Sequence, residues 1–486
     1  MSKVFAGLSP EKVWYYFGEI CKIPRSSKKE KRITEYIIGV ARKLNLENET
    51  DEVGNILIRK PATKGYENFP VVILQSHIDM VCEKNSDTYH DFDNDPIVPR
   101  IEGDWVKATG TTLGADDGIG IAAQLAILEA TDIEHGPLEM LFTVDEETGL
   151  TGAKGLKPGF LKGRILLNLD SEDEGELFIG CAGGQDTKAF MNYSRIAVNY
   201  DFTGYQVKVT GLQGGHSGDD INKGRGNAVK LLNRLLWTAS HHFEVRISQI
   251  DGGNLRNAIA RESFANIVVP NRFSNEFIQF VKKFNTIVKE EFRITEPALL
   301  VSYNPIELPD FLIDLSTQER LLNALYACPH GVIAMSAVVP NFVETSTNLA
   351  SVKMNDKVIE IGTSQRSSSE HGKEDVLNMV ESVFRLAGAK ITHNDGYPGW
   401  TPNPKSPILD ITHKAYVKLF RLEPKVLAIH AGLECGLIGE QYPGIDMISY
   451  GPTIKGAHSP DERLQIDTVQ RFWDLTLEVL KNIPHE

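Results

Sequence analysis

The chain is poor in cysteine. Five residues (Cys21, Cys82, Cys181, Cys328 and Cys435) are scattered along 486 positions, odd in number and without a Cys-x-x-Cys pair. That excludes a disulfide scaffold and a zinc knuckle and indicates reduced thiols in a reducing compartment. Cys82 lies near His77, but with no second cysteine beside it the better reading is a packed small hydrophobe. No stretch approaches the roughly 20 consecutive apolar residues needed to span a bilayer. The opening residues lack a basic segment followed by a long apolar core, so no signal peptide is expected. Positive charge is in deficit: 51 Lys and Arg against 65 Asp and Glu leave a net charge of −14. This argues against nucleic acid or an anionic membrane as the main partner. Low-complexity stretches and short repeats are absent as well. With 41% hydrophobic and 24% charged residues the composition is that of a soluble globular protein, expected to be cytoplasmic. Its length exceeds one ordinary core, so two domains are the default.

What is present begins with Val71-Val-Ile-Leu-Gln-Ser-His77-Ile-Asp79-Met80, a β-branched run that reads as a buried strand stopping at a polar Gln-Ser. In extended chain, residues two apart share a face, so His77 and Asp79 leave the strand side by side. That arrangement suits a metal ligand beside a carboxylate that either orients it or acts as a catalytic acid. Upstream lie one helix opened by Ser9-Pro10 and a second, amphipathic helix from about Lys29 to Leu44. Downstream, Thr111-Thr-Leu-Gly-Ala-Asp116-Asp117-Gly leads into an apolar helical segment. Leu138–Val144 reads as a strand ending at Asp145-Glu146-Glu147-Thr-Gly, and Ile165–Leu169 as one ending at Asp170. Alternating strands and helices describe a layered α/β domain whose ligands gather beyond the strand ends.

The pattern changes near Gly183-Gly184. From there to about residue 398 the chain reads as a separate unit, with a helix over 227–240, a long helix near 276–292, a hairpin turning at Asn355-Asp356 and a helix over 373–387. The last segment returns to the βα style of the first. The expected architecture is therefore an α/β catalytic domain with a mixed sheet, split into residues 1–184 and 399–486. An α+β unit of residues 185–398 is inserted between its two parts.

His77, Asp116, Glu147 and Asp170 fall at strand ends or helix starts, and His458 follows the last expected strand. Two imidazoles and three carboxylates suit two divalent ions. Such ions, about 3.5–4 Å apart, can share a hydroxide that brings the cluster close to neutrality and can polarise a carbonyl. If Glu146 and Glu147 are extended they face opposite ways, so one can ligate while the other moves protons. Each residue also has a plainer reading: a helix N-cap for Asp116, a solvated acidic turn for Glu146-Glu147, a strand-end turn for Asp170, a loop histidine for His458.

Taken together, His77-x-Asp79, Gly114-Ala-Asp116-Asp117-Gly, Glu146-Glu147-Thr-Gly, Asp170 and His458 resemble the carboxypeptidase G/carnosinase-like family of dinuclear zinc peptidases. The likeness extends along nearly the whole chain. His430-Ala-Gly-Leu-Glu434-Cys, Gly451-Pro-Thr-Ile and His458-Ser-Pro-Asp-Glu462 are similar to its bacterial aminoacyl-histidine (Xaa-His) dipeptidase subgroup. The resemblance implies one metal on His77, Asp116 and Asp170 and another on Asp116, Glu147 and His458, with Asp116 bridging. It also implies a cis Asp116–Asp117 peptide, Asp79 as the partner of His77, and Glu146 as general base and then acid. Where many relatives carry Lys or Asn after the bridging Asp, this chain has Asp117, which adds negative charge.

The same resemblance makes the inserted unit a lid and dimerisation domain. His216, in Gly214-Gly-His-Ser-Gly, would stabilise an oxyanion, and Asn257 and Arg366 would bind the substrate's carboxylate end. Glu434 is a candidate for the amine end. The readings at Gly214–Gly218 and Arg366 compete with an exposed glycine turn and a surface salt bridge. The expected activity is hydrolysis of unblocked dipeptides, Xaa-His dipeptides included, by a homodimer using zinc, with cobalt or manganese acceptable to the same donors. The alternatives are a related N-acyl amino acid deacylase and, in another class, a non-catalytic binding protein on this fold.

Overall fold

The strand that carries His77 spans Val72–His77 and is buried at every position. It runs parallel to Leu138–Thr143 on one edge and to Ile165–Asn168 on the other. Central parallel strands are covered on both faces, which is why this one reads as a continuous apolar run. The sequence pattern ends it at Leu74, whereas the strand continues through Gln75, Ser76 and His77. Polar side chains are tolerated there because partners wait inside the sheet. The Gln75 amide donates to Thr143 Oγ1 (3.1 Å) and Glu434 Oε2 (2.6 Å), and accepts from Asn168 Nδ2 at 2.6 Å.

This computed structural model describes residues 3–485. Met1 and Ser2, where the signal-peptide reading begins, and Glu486 lie outside the described residues. Two compact units are present. The first runs up to Gly180 and takes in Pro402–Ala428 and the chain from Leu433 onward; the second is Cys181–Thr401 with a short return at Ile429–Gly432.

The first unit is built on a mixed eight-stranded sheet. Its order is Glu47–Thr50, Ile56–Lys60, Leu138–Thr143, Val72–His77, Ile165–Asn168, Asp446–Ser449, Glu176–Cys181, Lys425–Ile429. Helix Lys31–Lys43 buries Ile33, Ile37, Val40 and Ala41 along one stripe, as its 3.6-residue periodicity requires. Helix Ala115–Glu129 packs on the Val72–His77 strand and on helix Glu11–Ile20. Helix Pro407–Phe420 packs on Asp446–Ser449 and on the closing helix Ile466–Asn482. A separate four-stranded sheet joins Ile454–Lys455, Arg463–Gln465, Trp105–Ala108 and Pro99–Glu102. It was not legible in the pattern, yet it sets the segment that carries His458 and Glu462.

The second unit is a nine-stranded sheet with helices Ala228–Phe243, Ser274–Glu291, Leu315–Ala327 and Glu370–Leu386. Its core joins Val207, Val209, Leu232, Leu235, Phe277, Val281, Val380 and Phe384. Asn227 proves to be the cap of its helix, its side chain accepting from the Val229 and Lys230 amides. The hairpin at Asn355-Asp356 joins the antiparallel strands Val343–Met354 and Val358–Ser367. No described helix is long and apolar enough to cross a membrane.

Candidate metal centre and substrate-binding residues

The first unit gathers its imidazoles and carboxylates beyond the ends of the central strands. His77 Nε2 lies 2.9 Å from Asp116 Oδ1 and 3.3 Å from Asp170 Oδ1. His458 Nε2 lies 3.1 Å from both Asp116 Oδ2 and Glu147 Oε2. Asp116 thus turns one oxygen to each histidine. Two trios result, His77–Asp116–Asp170 and Asp116–Glu147–His458, whose donor atoms lie within 4.8 Å of one another. Asp116 and Asp117 have non-helical backbone angles at the start of helix Ala115–Glu129, and the peptide between them is cis. The cap position of that helix falls on Gly114, so the N-cap reading of Asp116 does not hold.

Asp79 is fully buried and works in two directions. Its Oδ1 stands 3.3 Å from His77 Nδ1. The same carboxylate accepts Ser27 Oγ at 2.7 Å and the backbone N–H groups of Glu146 and Glu147 at 3.0 and 3.2 Å. The expectation of an extended Glu146-Glu147 is corrected here, because Glu146–Gly149 is one turn of helix. Orphan N–H groups at the start of that turn need an acceptor, and Asp79 supplies it. Glu146 still comes close to the cluster, sharing a donor group with His77 and Glu147. Glu30, Asp79 and Asp145 form a further acidic group, but each is occupied by internal donors: Lys28 N and Asp145 N on Glu30, Thr148 and Thr151 hydroxyls on Asp145. That group braces the turn.

Two residues with no role in the sequence reading hold the loop that presents Asp116. Glu462 accepts four successive backbone N–H groups, from Leu113 to Asp116. Buried Arg25 grips the other side, donating to the carbonyls of Ile78, Asp79 and Gly114. Gly114 is obligatory there: its φ is +69°, and a Cβ would lie 2.7 Å from Arg25 Nη2. Glu462 belongs to a phrase that carried the family likeness, but neither it nor Arg25 sits in a local pattern that announces a grip on residues so distant in sequence.

The electrostatics match the donor chemistry. Burial alone would lower the His77 pKa, but the carboxylates of Asp170, Asp116 and Asp79 outweigh it and raise it well above the ordinary value. Hydrogen bonds to Asp116 and Glu147 raise His458 to about 11. Burial pushes Asp170 up to about 6 against the pull of His77, and pushes Glu146 well above the ordinary carboxylate range, helped by Asp170, Glu434 and Glu147. Burial also opposes the ionised form of Asp116, yet His458 and His77 hold it far below the usual value. Asp117 is buried and shifted upward by burial and by Asp170. Buried Glu147 Oε1 and Asp117 Oδ2 have no hydrogen-bond partner. Among the described residues, the charged partners of Asp116, Glu147 and Asp170 are histidines, with no Lys or Arg in ion-pair range. A buried carboxylate cluster without fixed cations suits bound cations, and N/O donors of this kind suit zinc, cobalt or manganese. The residues fit two divalent ions.

Glu434 is fully buried. Its Oε2 accepts from Gln75 (2.6 Å) and Thr143 (2.7 Å), its Oε1 has no partner, and burial raises its pKa to about 7. In the second unit, His216 and exposed Asn257 line one cavity of about 890 Å³. The Ser217 N–H donates to the Asn257 carbonyl at 2.8 Å. His216 Nδ1 is 3.2 Å from Asp219 Oδ2. Arg366 is not in a surface salt bridge; it is buried and hydrogen-bonded to Tyr397.

A mixed α/β unit whose strand ends assemble two His/carboxylate trios around one shared aspartate defines the class, a metallopeptidase. The chain belongs to peptidase family M20/M25/M40, whose pattern matches residues 73–482. It is 45% identical over 477 residues to the cytosol non-specific dipeptidase of Escherichia coli (strain K12), covering 98% of each chain. The solved aminoacylhistidine dipeptidase from Vibrio alginolyticus is similar at a TM-score of 0.94 and 44% identity, covering 100% of this chain and 99% of that one. The aminopeptidase PepT from Bacillus cereus shares the fold at a TM-score of 0.58 and 16% identity, over 98% of this chain and 99% of that one.

Proposed function

We propose that this chain is a metal-dependent dipeptidase that hydrolyses unblocked dipeptides, Xaa-His dipeptides among them, as a cytoplasmic homodimer. The observation that carries the reading is Asp116, which offers Oδ1 toward His77 and Oδ2 toward His458. This occurs in a chain that aligns over 98% of its length with a bacterial dipeptidase. His77, Asp116 and Asp170 would hold one divalent ion and Asp116, Glu147 and His458 the other, with zinc the first choice. When bound, such ions supply Lewis acidity toward the scissile carbonyl and toward water.

The remaining work falls to the protein. Glu146, whose carboxyl is shifted upward by burial, takes a proton from the attacking water and returns it to the leaving amine. Asp79 keeps the His77 ring and the Glu146-Glu147 turn in register, a positioning task. In the inserted unit, taken as lid and dimerisation domain, His216 is assigned to the oxyanion and Asn257 and Arg366 to the substrate carboxylate. Glu434 is assigned to the amine. An arginine fork pairs bidentately with a carboxylate, which lets a fixed cation select a free C-terminus.

The test combines metal analysis of the purified protein with rates on β-alanyl-histidine, other dipeptides, a tripeptide and an N-acetyl amino acid. Two ions per chain and preference for dipeptides support the reading. Preference for the N-acetyl substrate would replace it with the deacylase alternative.

A further inference from the structure

Arg366 stands on the strand Val358–Ser367 with only 7% of its surface exposed. A buried guanidinium ordinarily sits against a carboxylate, because moving a charge out of water costs several kcal/mol. Here no described Asp or Glu lies within ion-pair distance. The side-chain partner is the phenol of Tyr397, with Nη1 donating to Oη at 2.9 Å, and Nε has no partner. Two groups beside it are neutral as well. Ser346 is the cross-strand partner of Arg366, and its Oγ lies 2.7 Å from His430 Nε2. Burial, with the Arg366 charge, lowers His430 to about 3, so that ring is uncharged at neutral pH. Asp219 feels the Arg366 charge at longer range but is engaged by His216.

Tyr397 is anchored through its backbone, with its ring packed on glycines. Its backbone exchanges hydrogen bonds with Gly184, at 3.0 and 2.8 Å, and Gly184 is the partner of Arg366 in the sheet. The ring lies against two glycines: a Cβ on Gly184 would stand 2.7 Å from the phenol oxygen, and one on Gly432 2.8 Å from Cε2. Lys373 Nζ donates to the Tyr397 carbonyl at 2.8 Å.

We propose that Tyr397 is a positioning residue that aims Arg366 at the free carboxylate of the substrate's C-terminal residue, and thereby sets the preference for free over blocked C-termini. The inference rests on the dipeptidase reading above. A phenol oxygen fixes one corner of the fork without cancelling its charge. A carboxylate in place of the phenol would instead neutralise the cation that the substrate has to meet. The donors left over, Nε among them, are those a carboxylate takes in two parallel bonds.

The experiment measures KM and kcat for native, Tyr397→Phe, Tyr397→Glu and Arg366→Ala proteins on a dipeptide and on the same dipeptide as its C-terminal amide, with a thermal melt of each. Tyr397→Phe is expected to raise KM for the free dipeptide about tenfold with kcat within about twofold, and to leave the amide within about twofold. Tyr397→Glu is expected to erase the preference for the free acid, as Arg366→Ala does. An unchanged KM in Tyr397→Phe overturns the inference and leaves the dipeptidase reading standing. Equal losses on acid and amide, a loss in kcat alone, or a loss that tracks an early melt would also overturn it, since each marks a merely structural residue. A native protein that hydrolyses no dipeptide overturns reading and inference together.

Discussion

The carboxylate of Glu462 accepts the backbone N–H of Asp116 at 3.3 Å, across 346 positions of sequence. It also takes those of Leu113, Gly114 and Ala115 at 2.7, 2.9 and 2.7 Å. One buried acid thereby sets the loop from which the two-sided aspartate projects. Replacing Glu462 by Gln turns one of its two acceptor oxygens into a donor that faces N–H groups. A loss of about 2–4 kcal/mol in stability is expected. Zinc binding should weaken about tenfold to a hundredfold, as for other groups that orient ligands. Denaturant melts and zinc competition against a chromophoric chelator measure the two effects. Wild-type zinc affinity in the folded variant would show that Glu462 does not position Asp116 for metal.

Glu146 separates chemistry from metal binding. It lies next to both trios without belonging to the proposed ligand sets. Glu146→Ala should keep its full metal content and lose about a hundredfold to ten-thousandfold in kcat. Retained peptide hydrolysis would sink the assignment of general base.

Metal loading should release protons. Nearby carboxylates raise both His77 and His458 above the ordinary histidine value, and at about 11 the His458 ring is protonated at neutral pH in chelator-stripped protein. A metal accepts only an unprotonated nitrogen. Zinc added to stripped protein in weak buffer should acidify it, and apparent affinity should fall as pH falls from 8 to 6. Affinity that is flat across that range would contradict the shifts. Stability of the stripped protein follows the same signs. The His458 contribution, screened by solvent at a ring that is 55% exposed, is fully present below the unfolded value near 6.5 and is lost as pH rises through about 11. Burial works against ionised Asp79, but His77, Ser27 and the Glu146 N–H depress its pKa to about 2. Its contribution is present above the unfolded value near 3.8 and disappears as pH falls through 2. Thermal melts of stripped protein should therefore fall at the acid end as Asp79 is protonated, and fall as pH rises through about 6 and 7, where the buried Asp170 and Glu434 carboxyls ionise, and again toward 11 as His458 loses its proton.

Glu434 has two readings that one pair of variants can part. Glu434→Ala strands the Gln75 amide and the Thr143 hydroxyl in a fully buried site, at a cost of about 2–3 kcal/mol. Glu434→Gln keeps the shape. If the carboxylate binds the substrate's amine, Gln should raise KM for free dipeptides while stability changes little. An unchanged KM in Gln with a destabilised Ala would leave Glu434 as a brace alone.

Much of the arrangement was legible because local sequence encodes it. A β-branched run must be buried, so Val71–Leu74 announced a central strand, although the polar residues after it placed its end three residues too early. Apolar stripes marked the helices, and Asn227 marked one of their starts. The order of strands in the sheet is a different kind of information. It decides that His77, Asp116, Asp170, Glu147 and His458 converge, and no local period records it. The same limit hid the helical turn at Glu146-Glu147, which forms because Asp79 is there to accept its N–H groups. It hid Gln75 and Ser76 inside the sheet, the grip of Glu462 and Arg25 on the Asp116 loop, and the four-residue return at Ile429–Gly432. Sequence by itself determined the elements and the chemical types available at their ends, because periodicity and capping are local. Tertiary structure alone decided which of those groups face one another, because hydrogen bonding between distant loops depends on packing that no short window of residues contains.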